Sequence, residues 1–309
     1  MSDSVRTKLR ASANGQTMRK RQSPKRKYSK KKEQAQPKPK VKIQEIAAVE
    51  YDTSVAEHAN VLFRPNPGPQ TEFLAAAERE VLYGGSAGGG KSYAMLSDPL
   101  RYMGHPAFSG LLLRHTTEEL RELVFKSQEL YPKIWPGIKW SERKMQWTAP
   151  SGARLWMSYL DRDDDVLRYQ GLAFSWIGFD ELTQWSTPYA WNYMRSRLRS
   201  TAPDLPIFMR ATTNPGGRGH GWVKKMFIDP SPYNKAFDAT NLETGEVLRY
   251  PAGHSKAGKP LFKRRFIPAR LSDNPYLAET GDYEAMLLSL PEQQRRQLLE
   301  GDWDIKEGA

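Results

Sequence analysis

The chain has 309 residues, of which 39% are hydrophobic and 11% aromatic, with no cysteine and a net charge of +12. This composition excludes a wholly disordered chain, because it supplies apolar side chains for one large core or two small ones. The lack of cysteine excludes disulfides and thiolate zinc sites, and no apolar run approaches the length of a membrane span, so we expect a protein of a reducing cytoplasm without a membrane anchor or export signal.

The positive charge is concentrated at the start of the chain. Residues 1–45 contain 15 lysines and arginines against 3 acidic residues, which leaves 32 basic and 32 acidic residues in the remainder. Because this segment, centred on KRQSPKRKYSKKK, has few apolar side chains to bury, we predict a disordered basic arm over residues 1–45. It could aid solubility, bind nucleic acid or a protein partner, or serve as a nuclear-localisation signal.

Residues 81–92, VLYGGSAGGGKS, contain the G-x-x-x-x-G-K-[ST] pattern of a phosphate-binding loop. The preceding TEFLAAAERE (71–80) predicts a helix, VLY the end of a buried strand, and YAML after the loop a second helix. A flexible glycine loop is the alternative, but a strand before and a helix after favour nucleotide binding. The predicted contacts are backbone N–H groups for phosphates, Lys91 for the β- and γ-phosphates and Ser92 for Mg²⁺, within the set Gly85, Ser86, Ala87, Gly88, Gly89, Gly90, Lys91 and Ser92.

Further elements alternate between strand and helix. LLLRHT (111–116) predicts a strand, followed by a helix from Glu118 to about Leu130 with a capping box at Thr116 and Glu119. MQWTAPSGARLWMSYL (145–160) predicts an inserted hairpin, and FSWIGFDE (174–181) predicts a strand. Thr187 and Pro188 predict the start of a helix that continues to about Arg199. PIFMRATTN (206–214) then predicts a further strand, and PGGRGHG predicts a loop. This order predicts an α/β fold with a mainly parallel central sheet flanked by helices, and ligands at the carboxyl ends of its strands.

Two polar groups follow predicted strands. Asp180 and Glu181 end FSWIGFDE, where an aspartate can hold Mg²⁺ and a glutamate can orient and deprotonate a water. A surface acid pair is the alternative, but the phosphate loop upstream favours ATP hydrolysis. Thr212, Thr213 and Asn214 end the next strand, where they could contact the γ-phosphate or serve only the Asn-Pro-Gly-Gly turn.

The ordered set of segments NPGPQTEFLAAAEREVLYGGSAGGGKS, RYQGLAFSWIGFDELTQW, ATTNPGGRGHGWVKKMFI, FIPARLSDNPYL and LPEQQRRQLLEGDWD resembles the ATPase half of tailed-phage terminase large subunits over about residues 60–304. The resemblance implies a P-loop ATPase of the additional-strand, catalytic-glutamate class over residues 46–309. It implies an ATP- and Mg²⁺-dependent motor that drives double-stranded DNA into a procapsid, acting in the host cytoplasm as a homo-oligomeric ring on the portal protein, with a small terminase subunit as partner.

The same resemblance implies individual roles. Gln70 corresponds to an adenine-recognising glutamine, Asp180 and Glu181 to the Mg²⁺ aspartate and catalytic base, and Thr212–Asn214 to the coupling motif. Phosphoryl transfer calls for a cation beyond Lys91, and we expect Arg168 to supply it to a neighbouring subunit, with Arg195, Arg197 and Arg199 as alternatives.

The end of the sequence departs from the family. Large subunits usually continue into a metal-dependent nuclease, whereas here only Glu307 is acidic after position 304. We therefore expect no nuclease activity from this chain alone; either a separate polypeptide carries it or this chain is part of a longer protein. A helicase-like remodelling ATPase is the alternative function, but such enzymes carry a second motor domain for which 309 residues leave no room.

Overall fold

The computed structural model describes residues 63–305. The predicted basic arm, residues 1–45, lies outside the described residues, as do residues 46–62 and 306–309. No helix within the described range is both long enough and apolar enough to cross a membrane.

The described residues are organised around a nine-stranded sheet. Its strands are β1 Glu80–Gly85, β2 Ser109–Arg114, β3 Lys139–Ser141, β4 Gln146–Thr148, β5 Arg154–Tyr159, β6 Trp176–Phe179, β7 Phe208–Thr213, β8 Phe237–Asp238 and β9 Lys263–Ala269. Their order across the sheet is β3-β4-β5-β2-β6-β7-β1-β9-β8. The strands from β5 to β9 in that order are parallel, whereas β3, β4 and β8 are antiparallel additions at the two edges. The predicted mainly parallel α/β sheet is confirmed.

Helices connect the strands and cover both faces. They are α1 Pro69–Ala75, α2 Lys91–Ser97, α3 Thr117–Ile134, α4 Tyr189–Arg195, α5 His220–Val223, α6 Pro275–Ala278, α7 Asp282–Leu288 and α8 Glu292–Arg295. Short 3₁₀ segments occur at Asp98–Tyr102, Glu142–Lys144, Asp163–Tyr169, Leu182–Gln184 and Leu271–Asp273, and π-helical turns at Lys224–Ile228 and Arg296–Glu300. The predicted capping box starts α3, since the Thr116 hydroxyl accepts from the Glu119 N–H and the Glu119 carboxylate accepts from the Thr116 N–H.

Successive residues of the central strands pack into two separate apolar layers, one on each face of the sheet. Leu111 and Leu113 of β2 pack into a layer with α4 and α5, whereas Leu112 between them packs with α2 and α3. A strand that is apolar on both faces requires cover on both, which explains the continuous apolar runs of the sequence. The sheet is therefore held rigidly between helices, and its strand ends are fixed points for a site.

Strand β7 lies between β1 and β6, so the strand that precedes the phosphate loop and the strand that precedes the acid pair are not neighbours. This is the additional-strand arrangement that the resemblance implied. The parallel directions place the ends Gly85, Phe179 and Thr213 at one edge of the sheet, in agreement with the prediction of ligands there.

The predicted hairpin over 145–160 is present as β4 and β5, which are antiparallel. Its second strand also pairs in parallel with β2, so the hairpin extends the central sheet instead of standing apart from it. A third short strand, β3, adds to β4 at the outer edge.

The first predicted helix, 71–80, ends earlier than predicted. Helix α1 stops at Ala75, and Ala76 is already extended with ψ 126°. The buried guanidinium of Arg210 donates to the carbonyls of Ala76 and Glu78 at 2.7 and 3.0 Å, so a distant side chain takes the acceptors that continued helix would use. Helical propensity in this stretch is overridden by a tertiary contact.

Helix α4 also ends early, at Arg195 instead of Arg199. The N–H of Phe174 donates to the carbonyl of Arg197 and the N–H of Arg199 to the carbonyl of Phe174, so this stretch forms a bridge to the segment before β6. The predicted loop PGGRGHG ends at Gly219, because His220 begins α5.

Strand β9 is absent from the sequence prediction because KRRFIPA does not show a run of apolar residues. The charges are satisfied by acids elsewhere in the chain: Arg264 Nε lies 2.7 Å from Glu80 Oε2 inside the protein, and Arg265 Nη2 lies 2.6 Å from Glu72 Oε2. Burial alone would raise the pKa of Glu80, but Arg195 and Arg264 hold that pKa below its usual value. A buried ion cluster thus replaces apolar packing at the start of β9.

Candidate nucleotide-binding site

The phosphate loop joins β1 to α2 where the sequence predicts it, with α2 beginning at Lys91. Two glycines are required by close approach: a Cβ on Gly85 would lie 2.3 Å from the Ala269 carbonyl oxygen, and one on Gly90 would lie 2.7 Å from Gln70 Nε2. Gly90 also has φ 77°, in the left-handed region that favours glycine. The loop is therefore held against β9 on one side and α1 on the other.

A cavity of about 710 Å³ opens over this loop. Its lining includes the loop from Ala87 to Tyr93, Gln70 of α1, Glu181 after β6 and Asn214 after β7. The structure thus brings together the predicted phosphate loop, base and coupling residue. The volume of the cavity is in the range of small-molecule and cofactor sites.

Lys91 points back toward its own loop. Its Nζ donates to the Ser86 carbonyl at 2.6 Å, and the side chain is buried. Burial lowers the pKa of Lys91, and the nearby carboxylates of Glu181 and Asp180 oppose that shift. The Lys91 side chain is therefore held beside the cavity, near the predicted base Glu181 and the predicted Mg²⁺ ligand Asp180.

Asp180 is almost fully buried behind the cavity wall. Its Oδ1 accepts from the Thr212 hydroxyl, and its Oδ2 lies 3.0 Å from Nε of Arg114, the last residue of β2. Oδ2 receives no hydrogen bond in the structure. The carboxylate is thus fixed by the two neighbouring strands, with one oxygen retaining acceptor capacity.

Glu181 turns out of the strand direction and faces the cavity. It has φ 59° and ψ 59°, a left-handed conformation that is uncommon for residues other than glycine and that concentrates at functional sites. Burial raises the pKa of Glu181, with the adjacent Asp180 adding to the rise and Lys91 opposing it. The Asn214 N–H donates to its Oε2 at 3.3 Å, so the carboxylate is held from the end of β7.

The three predicted coupling residues contact both carboxylates and the turn that follows them. Thr212 Oγ1 also accepts from the Glu181 N–H at 3.4 Å. Thr213 Oγ1 lies 2.7 Å from Thr183 Oγ1, and Thr183 also donates to the Asn214 carbonyl at 3.2 Å. Hydrogen bonds therefore connect the end of β7 to the acid pair and the turn after it. The coupling role of these residues stays a prediction.

Gln70 lies at the cavity with both ends of its amide in use. Its Oε1 accepts from the Asn66 N–H at 2.6 Å and its Nε2 donates to the Gly90 carbonyl at 2.9 Å. The side chain therefore ties α1 to the phosphate loop. Adenine recognition by Gln70 stays a prediction.

Ser92 lies in the first turn of α2 and lines the cavity, as its predicted Mg²⁺ role requires. Asp180, the other predicted Mg²⁺ residue, is not among the lining residues, because Thr212 and Arg114 hold it behind Glu181.

Arg168, the predicted cation for a neighbouring subunit, does not line the cavity of its own chain. It is about half exposed, its Nη2 donates to the Tyr159 carbonyl at 2.8 Å, and it lies 3.5 Å from Asp165. Of the alternatives, Arg195 is committed to the buried Glu80. A role for Arg168 in a neighbouring subunit stays a prediction.

Sequence reasoning missed three contributors to the site. Arg114 is the cation beside Asp180, Asn274 donates to the Gly88 carbonyl at 2.7 Å, and the Leu298 carbonyl accepts from the Ala87 N–H at 2.6 Å. Arg114 had a visible signal, since it is a charged residue at the end of an apolar strand. The other two lie after β9 in the segments FIPARLSDNPYL and LPEQQRRQLLEGDWD, which contribute to the family resemblance but do not by themselves indicate a contact with the phosphate loop.

The profile of the family described as phage terminase large subunit matches residues 77–249, more than half of the chain. The chain belongs to the phage terminase large subunit family. The match covers the phosphate loop, the acid pair and the coupling residues, whereas Gln70, Asn274 and Leu298 lie outside the matched range.

Solved structures give the same answer for the fold of this terminase-family chain. The large terminase of a thermophilic bacteriophage in complex with ADP matches with a TM-score of 0.55 and 14% identity, over 78% of this chain and 54% of that one. The same phage's large terminase in complex with ATP-gamma-S matches with a TM-score of 0.53 and 13% identity, over 78% and 53%.

The chain spans about half the length of the two nucleotide-bound large terminases that it matches. No curated protein matches its sequence significantly.

Proposed function

We propose that this chain hydrolyses ATP and uses the energy to translocate viral double-stranded DNA into a procapsid. The observation that carries the proposal is that Lys91 and Glu181 face one cavity above a glycine-rich loop in a chain of the terminase large subunit family. The solved large terminase of the thermophilic bacteriophage, which shares this fold, is described in complex with ADP and with ATP-gamma-S.

The triphosphate of ATP would lie along residues 85–92. Successive backbone N–H groups there and the start of α2 favour anions. Lys91 is held by a single carbonyl, that of Ser86, so its ammonium can exchange this contact for the β- and γ-phosphates. The carboxylates of Glu181 and Asp180 oppose the fall in the pKa of Lys91 that burial causes, and so favour its charged form.

Ser92 and Asp180 would hold Mg²⁺. A hydroxyl and one carboxylate, completed by phosphate oxygens and water, match the hard oxygen ligands that this ion prefers. Asp180 Oδ2 accepts no hydrogen bond and lies 3.0 Å from Arg114 Nε, so this oxygen would exchange the guanidinium for the ion. When bound, the ion neutralises charge on the phosphate oxygens. Asp180 is preset for this task because Thr212 fixes its other oxygen.

Glu181 would act on the attacking water. The water oxygen bonds to the γ-phosphorus as the bond to the bridging oxygen of ADP breaks, and the proton of the water passes to the glutamate. Burial raises the pKa of Glu181 and so makes it a stronger base than a solvated glutamate. The Asn214 N–H holds Oε2, which leaves Oε1 to accept the proton.

The threonines and asparagine at the end of β7 would report the state of the site. Loss of the γ-phosphate changes the charge that Glu181 and Asp180 face, and Thr212 and Asn214 contact those two residues directly. We propose that this contact passes hydrolysis on to β7.

Family membership supports the further assignments: double-stranded DNA as the cargo, portal protein and small terminase subunit as partners, and a homo-oligomeric ring on the portal as the working assembly. The working compartment would be the host cytoplasm.

The test is the ATPase rate of the purified chain alone, with double-stranded DNA, and with DNA plus procapsids of the cognate phage. We expect a low basal rate and a large rise only when procapsids and DNA are both present. Packaged DNA is measured in parallel by protection from added nuclease. An ATPase that responds fully to DNA alone and protects no DNA would overturn the packaging assignment.

A further inference from the structure

Residues 239–262, here called the basic ribbon, leave the sheet between β8 and β9. Backbone hydrogen bonds hold its limbs together: Leu248 N–H donates to Ala239, Leu261 N–H to Leu248, and Tyr250 N–H to Lys259, at 2.8 to 3.0 Å. The ribbon is thus an ordered antiparallel structure. Its outer part, residues 251–259, is exposed throughout.

The charge on the outer and returning part of the ribbon has one sign. Residues 247–262 contain three cations, Arg249, Lys256 and Lys259, and no acidic residue, and the ribbon's two acids, Glu243 and Glu246, precede this stretch. Within the described residues, Arg249, Lys256 and Lys259 pair with no carboxylate. The ribbon therefore presents uncompensated cations to solvent.

Aromatic rings accompany these cations. Tyr250 stacks on His254 with ring centres 4.5 Å apart, and Lys256 lies 5.7 Å from the centre of the Tyr250 ring. The side chain of Arg249 donates to the Gly258 carbonyl at 2.8 Å across the ribbon. These contacts hold the cationic side chains in place, so less side-chain conformational entropy is lost when an anionic partner binds.

The ribbon lies at the end of the sheet opposite the nucleotide site. β9 runs parallel to β1, with Arg264 beside Glu80 and Ala269 beside Gly85, so it starts at the ribbon and ends at the phosphate loop. The Ala269 carbonyl accepts from the Ser86 N–H at 2.8 Å. A single seven-residue strand, about 20 Å long, therefore connects the ribbon to the loop.

We propose that the basic ribbon contacts the phosphate backbone of double-stranded DNA, and that β9 links this contact to the phosphate loop; the proposal rests on the proposed function as a DNA-translocating ATPase. Lysine and arginine that meet phosphates release counterions without reading bases. A motor that moves along any sequence needs this kind of contact.

The test uses the full chain and a double-stranded DNA fragment without a special sequence. Lys256→Gln/Lys259→Gln is compared with Lys139→Gln/Lys144→Gln, which removes two exposed cations from the opposite edge of the sheet. Each phosphate contact contributes about 0.9 to the slope of log affinity against log salt, so we expect the ribbon variant to flatten that slope by up to about 2 and the control to leave it unchanged. Lys256→Arg/Lys259→Arg should retain the parent slope.

A second measurement does not depend on affinity. Because the chain has no cysteine, Ser255→Cys places one label site at the tip of the ribbon, and Ser186→Cys places one at an exposed position near the acid pair. A photocrosslinker at position 255 should capture DNA and one at 186 should not. Equal slopes for the ribbon variant and its control, together with no crosslink at 255, would overturn the proposal.

A failure of the ribbon proposal can be distinguished from a failure of the proposed ATPase function. The ribbon lies away from the cavity, so the basal ATPase rate of Lys256→Gln/Lys259→Gln should equal that of the parent. A chain that binds DNA through the ribbon but hydrolyses no ATP would contradict the proposed function and leave the ribbon assignment intact.

Discussion

The guanidinium of Arg114 and the carboxylate of Asp180 form a buried ion pair between the ends of β2 and β6, with Nε and Oδ2 3.0 Å apart. Both side chains are almost inaccessible to solvent. Removing one member of such a pair leaves an uncompensated buried charge, whereas removing both leaves none.

We therefore expect Arg114→Gln to lower the free energy of unfolding by about 3 to 5 kcal/mol at neutral pH, and the double variant Arg114→Gln/Asp180→Asn to lose clearly less than the sum of the two single changes. Urea unfolding of the four proteins measures this cycle. Additive losses would show that the two groups do not stabilise each other.

Glu181 is expected to serve as the base and Lys91 to serve binding, so their variants should fail in different ways. Glu181→Gln keeps the shape of the side chain and should bind ATP with little change while turnover falls by about a hundredfold or more. Lys91→Ala should lose ATP binding. Filter binding of labelled ATP and a phosphate-release assay separate the two. Turnover of Glu181→Gln within about threefold of the parent, far short of the loss expected for a general base, would contradict the assignment.

The raised pKa of Glu181 predicts the acid side of the pH profile. The base works only when deprotonated, so kcat/KM should fall on acidification at a pH above the usual range of a glutamate, whose ordinary pKa is 4.5. The profile is measured with Mg·ATP as the varied substrate and no excess of Mg²⁺, so that kcat/KM reports the free enzyme. Circular dichroism at each pH shows that the chain remains folded. A fall only near the ordinary value would mean that burial does not control this group.

Gln70 gives a test between two roles. If its amide serves to tie Asn66 to Gly90, Gln70→Ala should weaken ATP and GTP binding equally, because the phosphate loop is common to both. If it reads adenine, the variant should lose preference for ATP over GTP. Competition binding of the two nucleotides to parent and variant measures the ratio, and the structure favours an unchanged ratio.

The sequence predicts those parts of the structure that depend on neighbouring residues in the chain, and fails for those that depend on contacts with residues far away in the chain. The phosphate loop, the acid pair and the α3 capping box depend on short segments whose residue types have one main structural use. Strand β9 and the end of α1 depend on the partners of Arg264 and Arg210, which lie 184 and 134 residues away in the chain. No window of sequence contains both members of those pairs, so hydrophobic periodicity misreads the segments.

Arg168 lies outside the cavity of its own chain and is about half exposed, as an arginine that serves a neighbouring subunit must be. Its guanidinium donates to the carbonyls of Asp165 and Tyr159 at 3.2 and 2.8 Å and lies 3.5 Å from the partly exposed Asp165 carboxylate, contacts that a neighbouring subunit's phosphates would replace. An arginine supplied in trans raises the rate by a factor on the order of 10³ to 10⁵ where it has been measured.

We expect Arg168→Ala and Glu181→Gln to be inactive separately and a mixture of the two to recover hydrolysis, because some interfaces in a mixed ring join an intact arginine to an intact glutamate. Arg199→Ala, which removes another arginine named as a candidate, is the control and should be active without mixing. Sedimentation confirms that the mixed chains assemble, and an assembled mixture that stays inactive at every ratio would show that Arg168 does not act across the interface.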